Sequence, residues 1–312
     1  VEAVSRGGLA RRLLPVVIAV VVPWAWFAVR DIGGPFDAVA VGLPLIGVTA
    51  ILSTAVVAVI AGRAWPLVAG TSILVVCSVA VIGPRLPRAV ASPDPGIRVL
   101  MANVWEANPA PESVPASLFE RGADVVVAAE MPKDPFYEQT TVAATAAGLT
   151  ETVEHGQLAA WSRFPVRALS ETGLPASRVM RIGVDAPGSP FVLYVVHAPN
   201  PLRDDTSFSD QRWFAEELLD SIALEHRPVV LAGDLNMSDR VVSYRLIDGA
   251  LTDAMEAGAA AETTYVGGWW TTLLLRIDHI FVDPSWCAAD PSTVTIAGSD
   301  HRGVEAAVGP CP

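Results

Sequence analysis

Residues 13–29, 38–61 and 65–82 contain not one charged side chain. Each stretch approaches or exceeds the ~20 apolar residues that an α-helix needs to cross a bilayer. In lipid the backbone has no water to bond, so a helix is the one form in which a single segment satisfies itself. Core helices of a water-soluble domain keep a polar stripe, and these stretches have none. Three transmembrane helices are therefore expected. Arg6, Arg11 and Arg12 ahead of the first run resemble the start of a signal peptide, but two more apolar spans follow at once, which argues against cleavage.

Charge divides as unevenly as hydrophobicity. Residues 1–90 hold seven of the 21 basic side chains and three of the 33 acidic ones, which leaves 14 against 30 in the remainder. A surface that acidic repels nucleic acid, whose binding rests on Lys and Arg neutralising phosphates. Lys133 is the only lysine. Arg6, Arg11, Arg12 and Arg63 fall on one side of the spans and Arg30, Arg85 and Arg88 on the other. That bias favours a cytoplasmic N-terminus, and an odd number of spans then carries everything after Pro84 outside. Cys77 lies within the third span, whereas Cys287 and Cys311 follow two late strands. An oxidising compartment would let that pair bridge; two buried free thiols are the alternative.

Pro84, Pro87, Pro93 and Pro95 mark a short semi-stiff linker, residues 84–96, with a reach of at most about 45 Å. The expected organisation is a three-helix membrane region over 1–83, this linker, and one soluble domain over 97–312. Its length suffices for a sizeable core. Helical runs at 115–121, 138–147 and 209–225 alternate with strand-like runs, which suggests a β-sandwich flanked by helices.

Within that domain six polar islands share one chemistry: Asn103, Glu130, His197, Gly233-Asp234-Leu235-Asn236, Arg276-Ile277-Asp278-His279 and Ser299-Asp300-His301. Each ends or precedes a β-branched apolar run, at 97–101, 125–129, 191–196, 228–232, 280–282 and 304–308. Strands of one sandwich can deliver such tips to one place. A carboxylate and an amide can hold a hard cation through oxygen, an Asp and an Asn can position a water, and two imidazoles can meet a phosphate. The pattern points to metal-assisted hydrolysis of a phosphate ester.

In these residues, and in their order, the last two-thirds of the sequence resembles the endonuclease/exonuclease/phosphatase superfamily, which includes DNase I-like nucleases, neutral sphingomyelinases and inositol polyphosphate phosphatases. The resemblance implies an α+β fold, the four-layer α/β-sandwich of DNase I type, here preceded by three transmembrane helices. It implies Glu130 as principal ligand of Mg²⁺, or of Mn²⁺, with Asn103 beside it and Asp300 touching the metal directly or through water. Asp234 matches the water-activating carboxylate and Asn236 the amide that holds nucleophile or phosphate. His301 would lie against the phosphoryl oxygens with Asp278 fixing its tautomer, and His197 would donate to the developing charge. His279 is read as a packed strand residue.

Some positions depart from the family pattern or stand outside it. Ala129 occupies a position where many members carry Gln, which removes a hydrogen bond near the metal. Ser162-Arg163-Phe164-Pro165 resembles a strand end that frames the phosphate pocket, with a solvated Arg163 as the alternative. Arg212 is expected to make a surface ion pair, and His155 and His226 receive no role. Trp269 and Trp270 would either cover an apolar substrate tail, rest at the bilayer interface, or pack on the sandwich edge.

Three functional classes follow. The first is a membrane-anchored phosphoesterase acting outside the cytoplasm on a lipid-linked phosphate, pyrophosphate or phosphodiester, similar to the VanJ-type members found with glycopeptide resistance. Its partners would be the bilayer and a membrane lipid phosphate, with no protein partner implied. The second is an extracytoplasmic nuclease, which the motifs permit and the acidic surface disfavours. A non-catalytic membrane protein, the third, is at odds with the complete ligand set.

Overall fold

The computed structural model describes residues 6–87, 91–94, 96–132, 135–170, 173–203, 205–258 and 262–312, apart from the side chains of residues 6–13, Ala19 and Trp270. The side chains of Arg6, Arg11, Arg12 and Trp270, and residues Arg88, Pro95 and Lys133, thus lie outside the described residues. The chain divides into two compact units, one reaching Pro84 and including Arg240–Val242, the other formed by Arg85–Asp239 and Ser243–Pro312.

The first unit is built of α1 (Arg6–Val29), α2 (Pro35–Ala61) and α3 (Trp65–Ile82). Three segments, Leu14–Ile32, Pro35–Ala61 and Trp65–Arg85, are long and apolar enough to cross a membrane. Small residues set the approach of α2 to α3. A Cβ on Gly70 would fall 1.9 Å from the Thr54 hydroxyl, and one on Gly47 would fall 3.1 Å from Cys77 Cβ. Close approach through small side chains is how helices associate where lipid supplies no hydrophobic drive. Thr49 and Thr54 return their hydroxyls to the carbonyls of Leu45 and Ala50, both at 2.7 Å, so neither donor is left unbonded.

The second unit is a sandwich of two six-stranded mixed sheets. Its chain order is β1 (Ile97–Asn103), α4 (Val114–Phe119), β2 (Val125–Ala129), α5 (Phe136–Ala146), β3 (Glu151–His155), β4 (Leu158–Ser162), β5 (Val166–Ala168) and β6 (Val179–Val184). There follow β7 (Phe191–His197), α6 (Phe208–Ala223), β8 (Val229–Asp234), α7 (Val242–Ala250), β9 (Thr252–Asp253), β10 (Asp278–Val282), β11 (Trp286–Thr295) and β12 (Arg302–Pro310). One sheet runs β11-β12-β1-β2-β4-β3, the other β5-β6-β7-β8-β10-β9.

The period-2 alternation of a strand explains why these runs are apolar at every position. In β1 and β2, Val99, Met101, Val125 and Val127 face the other sheet, where Ile182, Leu193, Val195, Val230 and Ile280 meet them. The residues between, Leu100, Ala102, Val126 and Ala128, face outward onto Leu118 and Phe119 of α4 and Phe136 and Ala144 of α5. On the second sheet Tyr244 of α7 lies against Phe281 of β10, ring centroids 5.6 Å apart. Helices thus cover both outer faces, giving four layers.

The three helical runs expected from the sequence correspond to α4, α5 and α6. Helix α7 and strands β3, β5, β6, β9 and β11 do not stand out in the sequence, because their apolar patterns are short or broken by polar residues, whereas β4 ends at the Ser162-Arg163-Phe164-Pro165 motif. Cys287 and Cys311 are joined by a disulfide, Cα atoms 5.0 Å apart, at the β11 and β12 edge, and Cys77 is a buried free thiol. Arg85, expected in the linker, is buried in the second unit, where its Nε bonds Asp239 Oδ2 at 2.7 Å.

Candidate active site

Strand direction decides which tips meet. Parallel strands β1 and β2, and likewise β7 and β8, bring their C-terminal ends to one edge, with Asn103 opposite Ala129 and His197 opposite Asp234. The antiparallel strands β10 and β12 reach that edge with their first residues, so Asp278 pairs with Asp234 and His301 sits just ahead of β12. Gly233 is required by this approach: a Cβ there would lie 2.0 Å from the Val196 carbonyl oxygen on β7.

At the meeting point Asn103 Nδ2 donates to Glu130 Oε1 at 2.8 Å and to Asp234 Oδ2 at 2.9 Å. Its Oδ1 accepts from the Trp105 amide at 2.9 Å. Asn103 thus links the two carboxylates through its nitrogen. The reversed amide would lose the Trp105 bond and set its oxygen against two carboxylates. His197 Nε2 stands 3.4 Å from Glu130 Oε1 and 4.0 Å from Asp234 Oδ2.

A second set adjoins the first. His301 Nδ1 bonds Asp278 Oδ2 at 2.8 Å, and its Nε2 points toward Asp234 Oδ2 at 3.8 Å and Asp300 Oδ1 at 4.0 Å. Asp234 Oδ1 accepts the Asn236 amide at 2.8 Å, while Asn236 Nδ2 donates to the Ala198 carbonyl at 3.0 Å. Glu130 and Asn236 both adopt left-handed backbone, φ 53° and 51°. For Glu130 that conformation costs on the order of 1 kcal/mol, and such strain persists where the surroundings demand it.

Two trios of ligand-bearing side chains result, Glu130–His197–Asp234 and Asp234–Asp278–His301, each with atoms within 4.8 Å of one another. Asp278 Oδ1 is buried with no hydrogen-bond partner. Converging carboxylate oxygens, one of them orphaned, suit a hard divalent cation. Asp300 lies at the rim, outside both trios.

Burial and the facing Asp278 carboxylate push the Asp234 carboxyl above its usual range, against the pull of His301 and His197. Burial alone would lower the His301 imidazole, but Asp278 and Asp234 outweigh it and raise it to about 10. The site thus pairs a carboxylate of raised basicity with an imidazolium charged at neutral pH.

His279 is buried in a separate network. Its Nε2 lies 3.0 Å from the Met237 carbonyl and its Nδ1 3.3 Å from Asp253, which also takes Arg276 and, at 2.8 Å, the Tyr244 hydroxyl. Arg212 pairs with Glu216 at 2.8 Å, one helical turn on. The phosphate-framing alternative for Arg163 fails on register. Ser162 at the end of β4 pairs with Val125 at the start of β2, the opposite edge, and Arg163 pairs with Asp124 there at 3.2 Å.

Several supporting residues carry no role of their own in the sequence. Gln211 Nε2 donates to the Asn236 carbonyl at 2.8 Å; its signal in the sequence is a polar residue at helical spacing from Phe214, Ala215 and Leu218. Ser299 Oγ donates to the Asn103 carbonyl at 2.8 Å and accepts the His301 amide at 3.0 Å. Thr264 Oγ accepts the amides of Ile277 and Asp278, and the Tyr265 ring meets His301 edge-on at 5.0 Å. Nothing local in the sequence marks those two.

Residues 102–301 match the family model described as Endonuclease/Exonuclease/phosphatase family. The chain belongs to this family. Family members hydrolyse phosphoesters. No curated protein matches the sequence. Among solved structures the chain is similar to an endonuclease/exonuclease/phosphatase from Beutenbergia cavernae, with 19% identity, TM-score 0.51, and 69% of this chain and 72% of that one covered. It is similar also to a humanised D. rerio TDP2 carrying 14 mutations, with 15% identity, TM-score 0.55 and coverage of 69% and 99%. An AP endonuclease from Archaeoglobus fulgidus aligns with 15% identity, TM-score 0.53 and coverage of 67% and 98%. Likeness at this identity establishes the fold, the DNase I-like α/β sandwich.

Proposed function

We propose that the protein is a membrane-anchored, metal-dependent phosphoesterase that hydrolyses a lipid-linked phosphate, pyrophosphate or phosphodiester outside the cytoplasm, as a VanJ-type member of its family. The observation that carries this reading is the shared Asp234, which joins the Glu130–His197 and Asp278–His301 groups at one sheet edge of a chain with three membrane-length helices. The 14 basic residues against 30 acidic ones beyond residue 90 argue against a polyanionic polymer as substrate.

Glu130 is the principal oxygen ligand we assign to Mg²⁺ or Mn²⁺, with Asp300 at the rim. When bound, such an ion supplies charge neutralisation at the phosphoryl oxygens. Asn103 holds the Glu130 and Asp234 carboxylates at a fixed spacing. Asp234, more basic than an ordinary carboxylate, orients a water and takes its proton, and the Asn236 amide fixes the Asp234 oxygen. His301, kept charged by Asp278, meets the phosphoryl oxygens, and His197 donates to charge that develops in the transition state. Trp269, 61% exposed on the turn Gly268–Leu273, offers an apolar surface to a lipid chain.

The test is hydrolysis by the purified full-length protein, in detergent, of isoprenyl phosphates and diphosphates, sphingomyelin and DNA, with Mg²⁺ and with excess chelator. Lipid phosphates should be cleaved fastest, and only with the cation. Faster cleavage of DNA than of every lipid phosphate would put the nuclease reading in its place.

A further inference from the structure

The described side chains that converge on the site are carboxylates, imidazoles and amides, and an anionic substrate larger than one phosphoryl group needs a cation beyond them. Arg203, in the turn after β7, stands there. Its Nη1 is 4.0 Å from Asp300 Oδ2, and Asp300 Oδ1 is 4.0 Å from His301 Nε2. The Asp300 carboxyl group thus stands between the guanidinium and the imidazole, with one oxygen 4.0 Å from each.

The arginine is aimed rather than loose. Its Nη2 donates to the Tyr265 hydroxyl at 2.5 Å, and the guanidinium carbon lies 5.4 Å from that ring's centroid. Tyr265 is itself fixed: the ring abuts His301, the backbone bridges to His301, and a Cβ on Gly267 would fall 2.6 Å from the hydroxyl. The Arg203 side chain nevertheless remains 52% exposed, so much of its fork of donors faces solvent. A pair at 4.0 Å whose guanidinium is half in solvent contributes little stability, so pairing with Asp300 gives a weak reason for this arrangement. Arg178, whose carbonyl accepts the His197 amide, directs Nη1 to the Ala198 carbonyl at 3.3 Å.

We propose that Arg203, positioned by Tyr265, is a specificity residue that binds a second phosphate, joined to the reacting phosphoryl group through the bridging oxygen, and so selects diphosphate esters over monophosphates. The inference rests on the phosphoesterase reading above. In hydrolysis of a diphosphate ester, a water oxygen bonds to the terminal phosphorus and its proton passes to Asp234. The bridging P–O bond breaks, and its electron pair stays on the departing monophosphate ester. That leaving group departs as an anion, so a fixed guanidinium assists it where a proton donor would not be needed.

The experiment compares the full-length wild type with Arg203→Gln, Arg203→Lys and Tyr265→Phe on two pairs, geranyl diphosphate against geranyl monophosphate and ADP against AMP, at saturating Mg²⁺. Arg203→Gln should lower the diphosphate-to-monophosphate ratio of kcat/KM about 10- to 100-fold, mostly through KM, with partial recovery in Arg203→Lys. A fall in the geranyl pair assigns the second phosphate to a lipid, and a fall in the nucleotide pair alone assigns it to a soluble ester. An unchanged ratio in both pairs overturns the inference while leaving the phosphoesterase reading intact. If the wild type cleaves none of the four, that reading fails instead. Thermal stabilisation by methylenediphosphonate over methylphosphonate, lost in Arg203→Gln or retained in it, then decides the role of Arg203 alone.

Discussion

Asp234 concentrates more of the chemistry than any neighbour, because it is 1% exposed and touched by Asn103, His197, His301 and the Asn236 amide. Asp234→Asn and Glu130→Gln should each lower turnover about 10²- to 10⁴-fold, the range for losing a positioned acid–base or charge-stabilising group. Circular dichroism should show the fold unchanged, and a near-normal rate in both variants would refute the assigned roles. His301 makes a second test. Its folded pKa of about 10 lies above the unfolded 6.5, so its proton contributes stability fully below pH 6.5 and loses that contribution as pH rises through 10. NMR titration of the metal-free protein should find the imidazole still charged at pH 8, and Asp278→Asn should bring its pKa down toward the ordinary value.

At the scale of elements, the turn after β8 is pinned from behind by charges that never reach solvent. Arg276 is 0% exposed and bonds Asp253, with the Tyr244 hydroxyl 3.1 Å away. Burial would raise the Asp253 carboxyl, but Arg276 and His279 hold it well below the usual range. Such a depressed carboxyl contributes stability above its unfolded pKa and loses it only in strong acid. Arg276→Met strands the Asp253 charge, and chemical denaturation should register a loss of about 3–5 kcal/mol. Gly233→Ala belongs to the same edge. Its methyl would strike the β7 backbone, so it should fold poorly or lose at least about 2 kcal/mol although it removes no reactive group.

On the scale of the whole molecule, the disulfide ties the segment after β12 to β11, its cysteines 24 positions apart in sequence. A closed loop of that length is worth about 3 kcal/mol in the chain-entropy account, so reduction or Cys287→Ser should lower the melting temperature measurably. The same pair reports compartment. If the second unit lies outside the cytoplasm, as proposed, a membrane-impermeant thiol reagent should label neither cysteine on intact cells before reduction and both after it. Labelling that requires permeabilised membranes would place the unit in the cytoplasm.

How much was legible in the chain follows from the range of each interaction. Charge-free runs of membrane length and strands apolar at every position are local properties, and burial on both faces leaves a continuous record, so α1 to α3 and the central strands β1, β2, β7, β8, β10 and β12 could be read directly. The polar tips were legible because each interrupts such a run. Short edge strands such as β3 and β5 bury too little to impose a pattern, and helix α7 is only nine residues long. The nitrogen-first orientation of Asn103, the far-edge position of Arg163 and the Arg203–Tyr265 contact depend on register between strands and on loops distant in sequence. Residue types and spacing by themselves determined which chemistry this chain carries; the pairing of the sheets alone decided which of its polar groups face one another, because a strand's direction sets the edge at which its tip emerges.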